Sequence, residues 1–257
     1  MELLTARSKH DEAFIYVAIR NEIKDSSRTA SCSQTNLAEL LQVTDKTIYN
    51  HIQRLKETRL LTVKEKKQGA GEHPYNVYQF PELTDNYSIV LPTFIADAEL
   101  SPKLKGILLF AKANCECGTN HFTVQNRTGY LAEKLGVGKN QVNGYLSELE
   151  NKGHIRFIDK TLIITSSHFP LFITDDYDNI IYSLIYQFCL LKGTVPPLKD
   201  KEAMGWLGAK YVGNYKQLLT DLNKKCVTLP KTVHLNYFCK ALLNKIPTKK
   251  VVEFYIL

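Results

Sequence analysis

The sequence lacks the features of membrane and secreted proteins. No apolar run approaches the roughly 20 residues that span a bilayer, and the opening MELLTARSKHDEAF lacks the basic and then apolar order of a signal peptide. Six cysteines are scattered through 257 residues. In a reducing compartment such scattered cysteines are free thiols, not a disulfide framework. These absences predict a cytoplasmic protein.

Motifs for catalysis and metal binding are also missing. There is no phosphate-binding glycine loop, no nucleophile elbow and no HExxH. NCECGTNH offers Cys115, Cys117 and His121, but a zinc site normally needs four ligands with CxxC-like spacing. Tyr211 and Tyr215 have the spacing of paired nucleophiles in rolling-circle initiators, yet no His-hydrophobe-His motif accompanies them. We therefore expect no enzyme, no cofactor and no metal.

Composition and charge are those of a globular protein with a mild basic excess. Hydrophobic residues make up 44% and charged residues 23%, so two or three modules with real cores are expected. The net charge of +7 suits a polyanionic partner. It is uneven: residues 1–85 have net charge 0, residues 86–169 have +2 and residues 170–257 have +5. Charge alone therefore does not identify a DNA-reading module.

One pattern occurs twice. NLAELLQVTDKTIYNHIQRLKETRLL, residues 36–61, and YLAEKLGVGKNQVNGYLSELENKGHI, residues 130–155, align without a gap at an offset of 94. Leucine, alanine, glutamate and valine coincide at six positions, and three more positions are conservatively apolar. A shared offset over more than 20 residues indicates two copies of one supersecondary unit.

The first copy predicts two helices joined by a tight turn. Ser33 and Thr44 are placed to cap them, and Ile48, Ile52 and Leu55 form the inner face of the second helix. LLTVKEK and YNVYQF then predict a hairpin around a glycine-containing basic loop, a wing that can reach phosphates. The residues expected to face outward are Lys46, Thr47, Tyr49, Asn50, Gln53 and Arg54 on the helix, with Lys64, Lys66, Lys67, Gln68 and His73 on or beside the wing.

The second copy also predicts two helices and a hairpin, and a further helix and a strand precede them. Ser101 and Pro102 begin a helix, HFTVQN gives a strand, and two further helices cover RTGYLAEKL and 138–152. HIRFIDKTLIIT then gives two strands with a much shorter wing at 159–161. The residues expected to face outward are Lys139, Asn140, Gln141, Asn143, Gly144 and Tyr145, with Lys160 in the short wing.

These two phrases resemble the winged helix-turn-helix superfamily over residues 10–167, and the whole is similar to plasmid and phage replication initiators and to winged-helix regulators of mobile elements. The resemblance implies a second helix in the major groove and a wing on the backbone. It also implies a fold that is mostly α with small β-hairpin wings (α+β). Because Glu148 and Glu150 follow on the second copy's helix, the first copy is the expected base reader.

The expected domains are a first winged helix over 1–85, a linker over 86–100, a second winged helix over 101–169 and a helical domain over 170–257. The last domain carries no diagnostic motif, and it is the candidate surface for homo-oligomers or for a replication or transcription partner. A solvated basic face is the favoured interpretation of its lysines, and a second electrostatic contact is the alternative. The lysines concerned are Lys210, Lys216, Lys224 and Lys225.

The expected function is sequence-specific binding of double-stranded DNA, as replication initiator or transcriptional regulator of a bacterial mobile element. Two tethered units would raise each other's effective concentration on one site. The alternative from a different class is a protein-interaction adaptor that uses the same domains as scaffolds.

Overall fold

The computed structural model describes residues 10–23, 28–66, 75–81, 88, 90–116, 119–124, 127–171 and 177–244. These residues are mostly helical and include two small three-stranded antiparallel sheets, which makes the fold α+β as expected. The chain divides into two compact units, residues 1–170 and 171–257.

The first repeat runs helix, strand, two helices and hairpin. Its elements are α1 (His10–Asn21), β1 (Thr29–Cys32), α2 (Gln34–Leu41), α3 (Asp45–Glu57), β2 (Thr62–Lys66) and β3 (Tyr75–Gln79). In the sheet, β3 lies between β1 and β2. The hairpin register pairs Lys64 with Val77, whereas β1 was not predicted from the sequence.

The second repeat has the same order and sheet topology. After the short α4 (Thr93–Ala96) come α5 (Pro102–Ala113), β4 (His121–Thr123), α6 (Arg127–Leu135), α7 (Lys139–Asn151), β5 (Ile155–Ile158) and β6 (Thr161–Ile164). Here β6 is the central strand, between β4 and β5. The turn at residues 159–160 is as short as the sequence predicts.

The repeat predicted at an offset of 94 is present in the backbone. Both ends of α7 lie 94 residues after the corresponding ends of α3. Left-handed conformations recur at the same offset, at Gln42 (φ 53°) and Gly136 (φ 64°), and again at Arg59 (φ 59°) and Gly153 (φ 76°). The two copies therefore share turns as well as apolar positions.

The predicted helix caps are confirmed. The Ser33 hydroxyl accepts a hydrogen bond from the Asn36 N–H at 3.0 Å, and the Thr44 hydroxyl accepts one from Thr47 N–H at 3.2 Å. Ser101 caps α5, which begins at Pro102. Each cap satisfies an N–H group that the first turn of a helix leaves without a partner, so the helices start where the sequence indicates.

One continuous core joins the two repeats, and it includes apolar residues of the segment expected as a linker. Phe94 and Ile95 of α4 are buried in this core, and the Phe94 ring packs edge-on against Phe14 of α1, with ring centroids 6.2 Å apart. The Lys105 ammonium on α5 lies 4.9 Å from the centre of the Phe14 ring. Within the described residues 90–100 these apolar side chains pack in the core, so this part of the segment is not a free spacer.

The described residues of the second unit form four helices, in agreement with the helical character expected of residues 170–257. They are α8 (Tyr177–Leu191), α9 (Lys201–Tyr211), α10 (Tyr215–Lys225) and α11 (Leu235–Leu243). The buried Tyr211 hydroxyl donates to Asp221 at 2.7 Å, which ties α9 to α10. Across the described residues, no helix has the length and apolar character that crossing a membrane requires.

Candidate nucleic-acid interface

Helix α3 has one buried face and one polar face. Ile48, Ile52 and Leu55 are buried, and burying each stabilises the fold by about 2 kcal/mol. Opposite them, Lys46 and Asn50 are exposed. The core therefore fixes the helix while its outer side chains stay available to a ligand.

The outer face of α3 combines different kinds of polar group. Tyr49 is 51% exposed, and no hydrogen bond holds the Asn50 amide within the described part of the chain. Gln53 is half-buried and its Oε1 accepts from the Lys56 ammonium at 3.2 Å, which leaves its amide N–H groups as donors. Helical spacing puts Lys46, Tyr49, Asn50 and Gln53 on one side, where they could reach a groove together.

Thr47 contributes to the structure at the start of α3 more than to the exposed face. It is half-buried, and its hydroxyl lies 2.9 Å from that of the capping Thr44. Because this hydroxyl is already hydrogen-bonded at the helix start, Thr47 is less available to a ligand than the sequence pattern indicates.

Arg54 is exposed as expected, but its guanidinium is bonded within the protein. Its guanidinium Nη1 donates to Oε1 of Glu12 at 3.1 Å, and the Glu12 side chain is only 3% exposed whereas that of Arg54 is 44% exposed. The buried His51 Nδ1 lies 3.8 Å from the same oxygen, beyond hydrogen-bond distance. Arg54 therefore holds α3 against α1. Its partner lies 42 residues away along the chain, so no local pattern predicts the pair.

Only part of the wing lies within the described residues. Lys64 on β2 is exposed, as expected of a wing residue. Of Lys66 only the backbone is described, at the end of β2 opposite Tyr75. Lys67, Gln68 and His73, predicted as wing residues, lie outside the described residues.

In the second repeat, more of the polar side chains on the outer face of α7 are hydrogen-bonded within the protein. Lys139 and Asn140 are exposed, and Lys160 is exposed in the β5–β6 turn. Gln141 Oε1 accepts from the Gly138 N–H at 3.2 Å, and Asn143 Oδ1 accepts from the Thr128 hydroxyl at 2.9 Å. Two of the expected contact residues are thus occupied within the fold.

Tyr145 is expected to face outward on α7, but in the structure it is half-buried and packs against the core. The Tyr145 ring lies toward the buried side of α7. Tyr145 is therefore not part of the exposed face.

Equivalent positions of the two helices carry different chemistry. Where α3 has a cation or a hydrogen-bonding side chain, α7 has a neutral, smaller or acidic residue. Glu148 pairs only weakly with Lys152, at 3.9 Å, so the far end of α7 stays acidic. The pairs at the offset of 94 are Lys46 and Asn140, Tyr49 and Asn143, Asn50 and Gly144, Gln53 and Ser147, and Arg54 and Glu148.

The candidate nucleophiles and metal ligands of the sequence do not form a catalytic or metal site in the described part of the chain. Burial and the hydrogen bond to Asp221 raise the pKa of Tyr211, which opposes a nucleophilic role. The Cys115 thiol has its pKa raised to about 12 by burial. His121 is buried, Cys117 lies outside the described residues, and no cluster of three metal-ligating side chains occurs in the part that is described.

Comparison of the chain with protein-family models, with curated proteins and with solved structures found no match. The interpretation of the α3 face therefore rests on its own geometry and chemistry. That face has exposed donors and acceptors on a rigid helix, beside a hairpin that carries an exposed lysine.

Proposed function

We propose that this chain binds double-stranded DNA in a sequence-specific way and works in the cytoplasm without catalysis of its own. The two repeats are two winged helices, and α3 of the first is the helix that enters the major groove. Lys46, Asn50 and Gln53 meet the DNA there, and the β2–β3 hairpin is the wing that contacts the backbone.

The observation that carries this proposal is the side-chain set on the exposed face of α3. An amide such as Asn50 can form a pair of hydrogen bonds with an adenine edge, worth about 1–3 kcal/mol of discrimination per base pair. Lys46, at the start of the helix, can neutralise a phosphate. Because Ile48, Ile52 and Leu55 anchor the opposite face, these groups are presented without a large ordering cost.

The second repeat has a supporting role in this proposal. On α7 the positions equivalent to Lys46 and Arg54 carry Asn140 and Glu148 in place of cations. The second repeat would lengthen the stretch of DNA that the chain contacts, or it would fix the orientation of the chain on the DNA. A protein-interaction adaptor remains the competing function, and the acidic end of α7 is the surface that fits it best.

Selection from a random pool of duplex DNA by the full-length chain tests the proposal. The expected result is enrichment of a defined sequence. Asn50→Ala/Gln53→Ala should lose that enrichment, whereas the control Lys103→Ala, exposed at the start of α5, should keep it. No enrichment by the folded wild-type chain would overturn DNA reading and leave the adaptor function.

The selected sequence would also separate the two processes that we propose for a mobile element. Repeated copies of the site in an origin indicate a replication initiator. A single site over a promoter indicates a transcriptional regulator.

A further inference from the structure

The second unit carries an excess of positive charge on its described surface. All nine of its described lysines are exposed, namely Lys192, Lys199, Lys201, Lys210, Lys216, Lys224, Lys225, Lys231 and Lys240. The described acids are Asp178, Asp200, Glu202 and Asp221, and Asp221 is buried. Residues 171–257 contain no arginine. The described surface of this unit therefore attracts anions.

Four of these lysines lie along α10 and at its junction with α9, and we call them the lysine band: Lys210, Lys216, Lys224 and Lys225. The ammonium groups of Lys210 and Lys225 lie 3.7 Å and 4.0 Å from the same Asp221 oxygen. Lys216 and Lys224 are exposed near opposite ends of α10, about 12 Å apart along its axis.

Asp221 does not neutralise the lysine band. It accepts hydrogen bonds from the Tyr211 hydroxyl and from Gln217 Nε2, both at 2.7 Å, and the bond from Tyr211 is the main cause that lowers its pKa. Asp221 thus supplies one negative charge, near Lys210 and Lys225, against the four positive charges of the lysine band. The Lys210 ammonium also donates to the Leu242 carbonyl at 2.8 Å, so it is already ordered before any ligand arrives.

We propose that the lysine band binds the phosphate backbone of duplex DNA without regard to sequence, as a second DNA contact in the same chain. The inference rests on the proposed function and extends it to the second unit. Tethered to the base-reading repeat, even a weak backbone contact raises the overall affinity, because its effective concentration is high.

The absence of arginine favours a contact that does not depend on sequence. Lysine binds phosphate as a compact point charge, whereas arginine is enriched where phosphates, carboxylates or base edges are recognised by paired hydrogen bonds. An anionic membrane surface is less suitable, because α10 exposes only Leu219 as a large apolar side chain and no fully exposed aromatic ring.

The test measures binding of the full-length chain to a random-sequence 30-base-pair duplex by fluorescence anisotropy across salt concentrations. The variant is Lys216→Ala/Lys224→Ala, since neither ammonium takes part in an ion pair within the described residues. The control, Lys103→Ala/Lys134→Ala, removes the same charge from exposed positions of the first unit. Lys216→Arg/Lys224→Arg restores the charge.

The lysine band predicts that the alanine pair reduces the slope of log affinity against log salt by about two, and the affinity at 0.1 M salt by about tenfold. The control pair and the arginine pair should retain the wild-type slope. Equal slopes for the alanine pair and the control pair would overturn the inference. So would an alanine pair that keeps wild-type duplex binding but loses binding to phosphatidylserine vesicles, because that result would assign the band to membranes.

Failure of this inference can be told apart from failure of the proposed function. If the wild-type chain binds duplex DNA and the Lys216→Ala/Lys224→Ala variant binds it equally well, only the inference about the lysine band is wrong. If the wild-type chain shows no salt-dependent binding to any duplex, the proposed function is wrong as well.

Discussion

The Arg54 guanidinium lies 3.1 Å from the buried Glu12 carboxylate, and this pair joins the proposed recognition helix α3 to α1. Removing the Arg54 guanidinium takes from the buried Glu12 carboxylate a hydrogen bond between charged groups, an interaction worth about 1.5–3 kcal/mol. Because the Arg54 side chain is 44% exposed, solvent screens part of the loss. We expect Arg54→Ala to lower the free energy of unfolding by about 1–3 kcal/mol, measured by urea denaturation.

Lys46→Ala is the matched control, since Lys46 is exposed on the same helix. It should change stability by no more than about 0.5 kcal/mol. A fully stable Arg54→Ala variant that has lost its sequence preference would show that Arg54 reads bases and that the pair with Glu12 contributes little.

Asn50 and Lys64 should affect DNA binding in different ways. Asn50→Ala removes a base contact, so discrimination at one base pair should fall by about 1–3 kcal/mol while binding to random duplex persists. Lys64→Ala removes a phosphate contact, so all sequences should weaken alike and the salt slope should fall by about one. Competition binding at several salt concentrations measures both. Identical behaviour of the two variants would contradict the assignment of helix and wing.

Two glycines of the second repeat should respond oppositely to alanine. Gly144 is inside α7 with open space where a Cβ would go, so Gly144→Ala should stabilise the protein by about 0.5–1 kcal/mol. Gly153 ends that helix at φ +76°, where an L side chain is strained, so Gly153→Ala should cost about 1–2 kcal/mol. Thermal unfolding of both variants checks the signs. If Gly144→Ala lowers the unfolding temperature, the open space found around this position of α7 is contradicted.

His121 should make stability depend on pH. Burial lowers the pKa of its imidazole to about 4, so the folded state keeps it neutral. Between pH 6.5 and 4 the unfolded chain takes up the proton first. The free energy of unfolding should therefore fall with decreasing pH in this window, by up to about 3 kcal/mol from this group.

Urea denaturation at pH 7 and at pH 4.5 measures this dependence. His121→Gln should flatten the difference between the two pH values, whereas His234→Gln, at an exposed position, should not. Equal pH dependence in the wild-type chain and His121→Gln would refute the role of burial at this histidine.

Local patterns were enough to predict the two helices of each repeated phrase, three helix caps and the repeat itself. Ser33, Thr44 and Ser101 act within three residues of their partners, and the turns recur at Gln42 and Gly136. Such features depend on neighbours along the chain, so the sequence determines them directly.

Features that depend on distant partners could not be predicted in this way. The pairing of Arg54 with Glu12, the packing of Tyr145 and the burial of Phe94 each need the tertiary arrangement. Helical periodicity shows which side of a helix is polar, but it does not show which polar groups are already bonded inside the protein. The candidate base-reading set is accordingly smaller than the sequence predicts.

The ratio of affinities for the selected duplex and for a random duplex of equal length tests the central claim most directly. It is measured with the full-length wild-type chain at 0.15 M salt. Sequence-specific DNA binding predicts a ratio of at least about 1,000. A ratio near one would contradict it.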